Sequence, residues 1–280
     1  MSLTRRQCLA ALPAGLSLMF SGRTMANPRT KAGIQLYTLR AAMAENIAGT
    51  LKRVAAIGYA ELEFTGYFGK RPSEIRRMVA DLGMTAPSSH IDALAARNEP
   101  LPLIDGALEA GHKFLVIAWT RPETRKTLDD WKAWADVCNR FAAECHKAGL
   151  RFCYHNHNFE FQPVEGQLPY DLLLARTDPA LVQFELDLYW AKLAGADLGT
   201  LLSQHRGRIP MCHVKDMSAS GAMADVGQGT IDFKALFARP DIAPFEHYFF
   251  ENDDAKSPFE SAEISYKALN TILESLPERR

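Results

Sequence analysis

The feature that most constrains this chain is a recurrence. Short apolar runs, separated by helix-like segments, end abruptly in residues able to bind a metal or move a proton. The clearest is Gly149–His157 (GLRFCYHNH), with echoes at Phe184–Asp187, His213–Asp216 and Phe249–Asp253. Strands that alternate with helices and carry polar residues at their C-terminal ends are what a parallel barrel or a doubly wound sheet needs to place an active site.

The pattern repeats along the chain. Strands are predicted at Ala32–Tyr37, Ala60–Phe64, Met84–Ser89, His112–Ala118, Arg151–His155, Leu181–Asp187, Ile209–Val214 and Glu246–Glu251. Helices follow them near Asn46–Ile57, Ser73–Leu82, Leu101–Ala110, Leu128–Ala148, Tyr170–Arg176, Ala191–His205, Phe233–Phe237 and Pro258–Leu276. Apolar spacing of three and four residues supports the helices, and stops such as Gly58 and Gly83 end them. In the long fourth helix Trp131, Trp134, Cys138, Phe141 and Cys145 form one stripe, which reads as core rather than as sugar platforms. Eight such units with no Gly- or Pro-rich linker predict an α/β fold, a single (β/α)8 TIM barrel over residues 27–280. A doubly wound sheet of the same elements is the alternative.

Residues 1–26 stand apart. Arg5 and Arg6 precede an apolar segment, Cys8 to Phe20, too short to span a bilayer comfortably, and Thr24-Met25-Ala26 offers a cleavage site. This reads as a twin-arginine signal peptide, hence a periplasmic protein. The four later cysteines sit singly in apolar patterns and are expected to be buried free thiols. With a formal net charge of −1, the chain has no basic field for nucleic acid or for an anionic membrane after signal removal. The expected partner is a small molecule; a homo-oligomer is left open.

Strand parity sorts the polar residues, because successive side chains face opposite ways. Cys153, His155 and His157 share one face of the fifth strand. Gln183, Glu185 and Asp187 point inward on the sixth, and Met211, His213 and Lys215 on the seventh. Glu251 ends the eighth. Four neighbouring strands thus bring His155, Asp187, His213 and Glu251 to one rim, a mixed nitrogen and oxygen set suited to one divalent ion, Mn, Zn, Co or Fe. A single strand-end His or Asp is more often structural; convergence at equivalent positions is what favours a metal.

Around that set, His157 is the candidate proton carrier, since an imidazole works near neutral pH without tuning. Lys215 is a candidate electrophile for a developing oxyanion, or else a salt-bridge partner of Glu185 or Asp216. Glu185 lies one layer below Asp187, where it would orient a ligand. Glu63 and His90 are rim candidates for binding substrate hydroxyls, and Trp119 and Trp190 offer faces for a sugar ring or for packing under a loop. Glu160 reads equally as a substrate contact or a solvated side chain. Gly227-Gln228-Gly229 lacks the spacing and the following helix of a nucleotide loop, so Ser218–Thr230 reads as part of the barrel mouth.

GIQLYTLR, YHNHNFEF, FELDLYW, HVKDM, VGQGTIDF and FFENDD, in that order, resemble the sugar phosphate isomerase/epimerase superfamily with a xylose isomerase-like TIM barrel, in its exported twin-arginine branch. The resemblance covers nearly everything after the leader. It implies one divalent ion on His155, Asp187, His213 and Glu251, and a catalytic role for Glu251 in proton transfer. Two positions depart from the sugar epimerases, where the fifth strand carries Glu and Asp-x-x-His follows the sixth. Here these read His155 and Asp187-Leu188-Tyr189-Trp190, which is closer to 2-keto-myo-inositol dehydratases and 3-keto-glycoside lyases. The implied chemistry is proton abstraction beside the carbonyl of a non-phosphorylated keto-sugar through a metal-stabilised enediolate. It ends in isomerisation or epimerisation, or alternatively in elimination. A periplasmic sugar-binding barrel without chemistry is the remaining reading of a different class. The apurinic endonucleases that share this barrel carry a further metal-binding His where this chain has Trp190.

Overall fold

The computed structural model describes residues 31–277, so the predicted leader at 1–26 lies outside the described residues. The barrel strands are β1 (Ala32–Gln35), β2 (Glu61–Thr65), β3 (Thr85–Ile91), β4 (Phe114–Ile117), β5 (Arg151–His155), β6 (Val182–Asp187) and β7 (Met211–Val214). A short hairpin of β8 (Asp216–Met217) and β9 (Met223–Ala224) intervenes before the last barrel strand, β10 (His247–Phe250). The order β1-β10-β7-β6-β5-β4-β3-β2 closes on itself with every barrel pairing parallel. This is a single (β/α)8 TIM barrel.

The outer layer is built from amphipathic helices: α2 (Ile47–Ile57), α3 (Pro72–Asp81), α5 (Pro100–Ala110), α6 (Leu128–Lys147), α7 (Pro169–Arg176) and α11 (Pro258–Glu274) among the longer ones. Helix α6 starts at a capping box in which Thr127 and Asp130 satisfy each other's backbone N–H groups, worth about 1 kcal/mol. Its tryptophans, Trp131 and Trp134, are buried against the barrel. The predicted helix over Ala191–His205 is two, α8 (Leu188–Leu193) and α9 (Leu198–Gln204). The break falls where Gly195 takes φ +88, a left-handed turn that ends a helix at little cost only for glycine. Cys138, Cys145, Cys153 and Cys212 are all buried.

Alternation builds the interior in layers. Leu115, Ile117, Phe152, Tyr154 and Cys212 face the helices within the main core, whereas Phe114, Val116, Cys153, Met211 and Phe249 form a separate buried cluster inside the barrel. Gly33 sits where a Cβ would come 2.6 Å from the Phe249 ring, so the absence of a side chain on β1 lets that ring close the floor. Above the floor the inward positions turn polar.

Candidate metal centre and active site

The polar layer lies at the C-terminal ends of the strands, where barrel register sets its members side by side. His155 is level with Glu185, Asp187 with His213, and His213 with Phe249, two residues before Glu251. Each donor is held by its own local structure. Asp187 is the N-cap of α8: Oδ1 accepts from the Trp190 N–H at 2.8 Å, which leaves Oδ2 aimed into the site. Its backbone is clamped by Asn156, whose amide accepts from the Asp187 N–H and donates to the Asp187 carbonyl.

His213 stands between two carboxylate groups. Its Nε2 lies 2.7 Å from Glu63 Oε2, an acceptor that cannot meet a lone pair, so Nε2 carries the hydrogen. Nδ1 faces His155 Nε2 at 3.0 Å and Glu251 Oε2 at 2.8 Å, with Asp187 Oδ2 at 3.7 Å. These four atoms all lie within 4.8 Å of one another. Ligand atoms held by one ion at roughly 2.0–2.2 Å sit about 3 Å apart, so the spacing fits a shared divalent ion. Asp187 Oδ2 accepts no aligned hydrogen bond and is met by the Lys215 ammonium at 3.0 Å, so it already faces positive charge and keeps electron pairs for an ion. The residues present therefore fit a metal, and its donors are imidazole and carboxylate.

A lower network supports the upper one. Glu63 takes hydrogen bonds from Gln35, Ser88 and His213, and His90 Nε2 bridges Glu185 at 3.0 Å and Glu63 at 3.2 Å. Burial alone would raise the Glu63 carboxyl, but the charge on His90 and the hydrogen bonds from His213 and His90 hold it well below the usual range. Burial would lower His90, yet the two carboxylates push it up to about 9, so it is an imidazolium at neutral pH. Burial would likewise lower His213, which Glu185 and Glu251 raise well above the usual imidazole range. Loading an ion on Nδ1 must displace that proton, so metal affinity rises with pH. A Glu63→Gln change places an amide NH2 against one of three donors and should weaken metal affinity by roughly 10- to 100-fold. Chelator competition reads this directly, and an unchanged affinity would remove Glu63 from the orienting role.

Lys215 Nζ lies 3.0 Å from Asp187, 2.7 Å from Glu251 and 2.9 Å from Asp253. Burial would neutralise it, but these carboxylates keep it firmly cationic. The same carboxylates are held ionised by it, Asp187 and Glu251 both well below their usual range despite burial. Asp253 goes the other way: burial and the neighbouring Glu251 charge raise it to about 7. His157 is depressed well below 6.5, first by burial and then by His155 and the Lys215 ammonium beside it, so its imidazole is neutral. A cavity of about 810 Å³ opens above, lined on this side by His90, His155, His157, Lys215, Glu251 and Asp253.

The chain matches no protein-family model. Among curated proteins it is 29% identical over 158 residues to an inosose dehydratase of Geobacillus thermodenitrificans, covering 49% of this chain and 52% of that one. An inosose dehydratase of Lactiplantibacillus plantarum is 26% identical over 167 residues, 51% and 55% of the two chains. The chain thus spans about half the length of these relatives. Among solved structures, a sugar phosphate isomerase/epimerase from Parabacteroides distasonis superposes with a TM-score of 0.75 at 25% identity, covering 88% of this chain and 96% of the other. In sequence and in fold the chain is similar to proteins of the xylose isomerase-like superfamily. An L-ribulose 3-epimerase (TM-score 0.67, 16% identity, 88% and 95% covered) and a 3-keto-D-glucoside 4-epimerase from E. coli (0.68, 18%, 86% and 99%) share the fold.

Within this xylose isomerase-like barrel the structure brings together His155, Asp187, His213, Glu251, Lys215, His157 and His90. The other predicted residues take different positions around this set. Glu63, expected to bind substrate hydroxyls, and Glu185, expected at the substrate site or orienting a ligand, are both fully buried beneath the cavity; Glu63 meets Gln35, Ser88 and His213, and Glu185 Oε2 meets His90 and His213. Strand parity gives the face of a residue, not its depth. Trp190 packs against His157 and Tyr189 instead of lining the cavity, because α8 starts immediately after β6 and turns it sideways; its ring stays 5.6 Å from Lys215 Nζ. Trp119 does line the cavity and is 48% exposed. The salt-bridge partners expected for Lys215, Glu185 and Asp216, are replaced by Asp187, Glu251 and Asp253.

Asp216 has another task. Its carboxylate accepts from the backbone N–H groups of Met217, Gly227, Gly229 and Ile231. A Cβ on Gly229 would overlap that carboxylate, so the Gly-Gln-Gly segment is a fold around an internal anion, its donors already used.

Two side chains escaped the sequence reading. Asp253 lies past the strand, and Glu160 is buried rather than solvated, accepting from the Tyr154 hydroxyl and the His157 N–H at 2.7 Å each. Burial raises Glu160 to about 7. Because this folded value exceeds the usual 4.5, the folded state holds its proton longer than the unfolded one. Stability is fullest below about pH 4.5 and is lost as pH rises towards 7, on the order of 3 kcal/mol. Denaturation of wild type and Glu160→Gln at pH 5 and pH 8 should show the variant gaining relative stability at pH 8. A pH-independent difference would mean the carboxyl does not titrate in that range.

Proposed function

We propose that this barrel is a divalent-metal-dependent enzyme that removes a proton from the carbon beside the carbonyl of a non-phosphorylated keto-sugar. The observation that carries this is the convergence of His155, Asp187, His213 and Glu251 at the base of a cavity that also receives a neutral His157. A divalent ion on those four residues would polarise the carbonyl and offset the charge that builds on its oxygen. His157 takes the proton, since a neutral imidazole has a free lone pair. Its ring is held by stacking on Phe159 at 5.2 Å and 10°, and Glu160 fixes its backbone. Glu251 lines the same cavity as a second proton-transfer group, and Lys215, pinned in place, presents positive charge to the developing oxyanion.

Returning the proton to the other face or carbon gives an epimer or isomer. Delivering it to a β-oxygen instead expels that oxygen. The names of the relatives, dehydratase and epimerase, support both outcomes. A free keto-sugar is favoured over its phosphate because Lys215 is the only Lys or Arg lining the cavity among the described residues, and three carboxylates already hold it. Export through a twin-arginine leader at 1–26, into the periplasm, completes the proposal and would present the enzyme with sugars and glycosides.

Product analysis by NMR on metal-loaded protein, with free ketoses and 3-keto-glycosides as substrates, tests the reading. An epimer or isomer, or an unsaturated sugar with released water or aglycone, supports it and chooses the branch. Metal-dependent binding of sugars with no product from any of them would make this a binding barrel.

A further inference from the structure

The cavity has two unlike sides. The metal donors come from β5, β6, β7 and the end of β10, whereas the opposite side is built on the loops and helices that follow β1 to β4. There Tyr37, Tyr67, Leu103 and Trp119 form an aromatic and apolar stretch of wall beside the polar Ser89 and Asp92. We propose that this side is a subsite for a flat apolar aglycone, so that the preferred substrate is a keto-glycoside with an aromatic substituent rather than a free keto-sugar. The inference rests on the keto-sugar reading above.

Size argues first. A hexose has about a dozen heavy atoms, and even at about 30 Å³ each, the share of a water molecule in the liquid, it takes no more than about 360 Å³. The cavity holds about 810 Å³, within the range that buries a drug-sized ligand. More than half is left over once a sugar sits on the metal donors, and the leftover space is on the side that carries Tyr37, Tyr67 and Trp119.

Exposure argues second. The large hydrophobic side chains most exposed among the described residues are Tyr37 (41%), Leu101, Leu108, Trp119 (48%) and Leu193. Two of these five, both aromatic, line this cavity. Tyr37 is braced although exposed: the Arg40 guanidinium lies 4.3 Å over its ring, donates to its carbonyl, and donates again to the carbonyl of Asp253. That brace ties the aromatic wall to the strand end that carries Glu251. Behind it, Tyr67 stacks on the buried His112 at 5.8 Å and 6°. Ordered aromatic faces left in solvent lose little entropy on binding and gain dispersion and stacking with a flat ring.

The test uses glycosides that lack a carbonyl, so that binding is read without turnover. Calorimetry on the metal-loaded protein should show phenyl β-D-glucopyranoside binding about tenfold or more tighter than methyl β-D-glucopyranoside. In a Tyr37→Ala/Trp119→Ala double variant that ratio should fall to within about threefold. Equal affinities in the wild type, or a preference that survives the double variant, would overturn the subsite. The two readings fail separately. A phenyl preference carried by Tyr37 and Trp119, in a protein that exchanges no proton on any keto-sugar, would keep the subsite and discard the chemistry. Proton exchange on keto-sugars without a phenyl preference would do the reverse.

Discussion

Replacing Asp187 with Asn, or His213 with Ala, is expected to abolish metal binding and to reduce turnover by roughly a thousandfold or more. The two changes remove different things. Asn at 187 keeps a side-chain oxygen to cap α8 through the Trp190 N–H, so the fold around it persists, but the charge facing Lys215 and the imidazoles is gone. Ala at 213 removes the ring that touches both carboxylate groups at once, Glu63 through Nε2 and Glu251 through Nδ1. Metal content after dialysis, read beside circular dichroism, separates loss of the ion from loss of the fold. Full activity in either variant after chelation would contradict the metal account.

The second large effect is expected at His157. Changing it to Asn should leave the ion in place and slow turnover by roughly a hundredfold or more, because no donor to the ion is altered while the neutral, cavity-facing imidazole is lost. The ring contributes little that Asn cannot replace sterically; its neighbours Phe159, Trp190 and His155 each pack on other groups as well. An unchanged rate with metal retained would leave His157 a structural role and shift proton transfer to Glu251. A lost metal would mean His157 helps hold the ion.

Much of this arrangement was legible because strand alternation is strict. Once Val182, Phe184 and Leu186 are recognised as the helix-facing set, Glu185 and Asp187 have nowhere to point but inward, and the same holds for His155 and His213. The apolar and polar residues of β5, β6 and β7 then fall into the observed layers without further information. Depth was not legible. Glu63 precedes the end of β2 and sits beside a register shift between β2 and β3, which leaves its carboxylate under His213 instead of at the mouth. Position past a strand end was not legible either. Asp253 lies in a loop and Glu160 in a short 3-10 turn (Phe159–Phe161), both past the point where alternation stops, and only the packed structure shows one facing Lys215 and the other buried with its carboxylate on the His157 N–H. The division of the helix after β6 followed from Gly195, whose left-handed turn a count of apolar spacings does not weigh. The uneven lining of the cavity arises from loops and helices far apart in sequence, so no local pattern announces it.

The central claim is that an ion held by His155, Asp187, His213 and Glu251 makes a carbon-bound proton of a keto-sugar removable. Solvent deuterium exchange tests it most directly, with NMR following keto-sugars and keto-glycosides in D₂O with metal-loaded, chelated and Asp187→Asn protein. The account predicts that the loaded wild type exchanges or eliminates the proton beside the carbonyl, and that chelation and the substitution each suppress this by roughly a thousandfold. Exchange or product formation at the same rate in all three samples would contradict it.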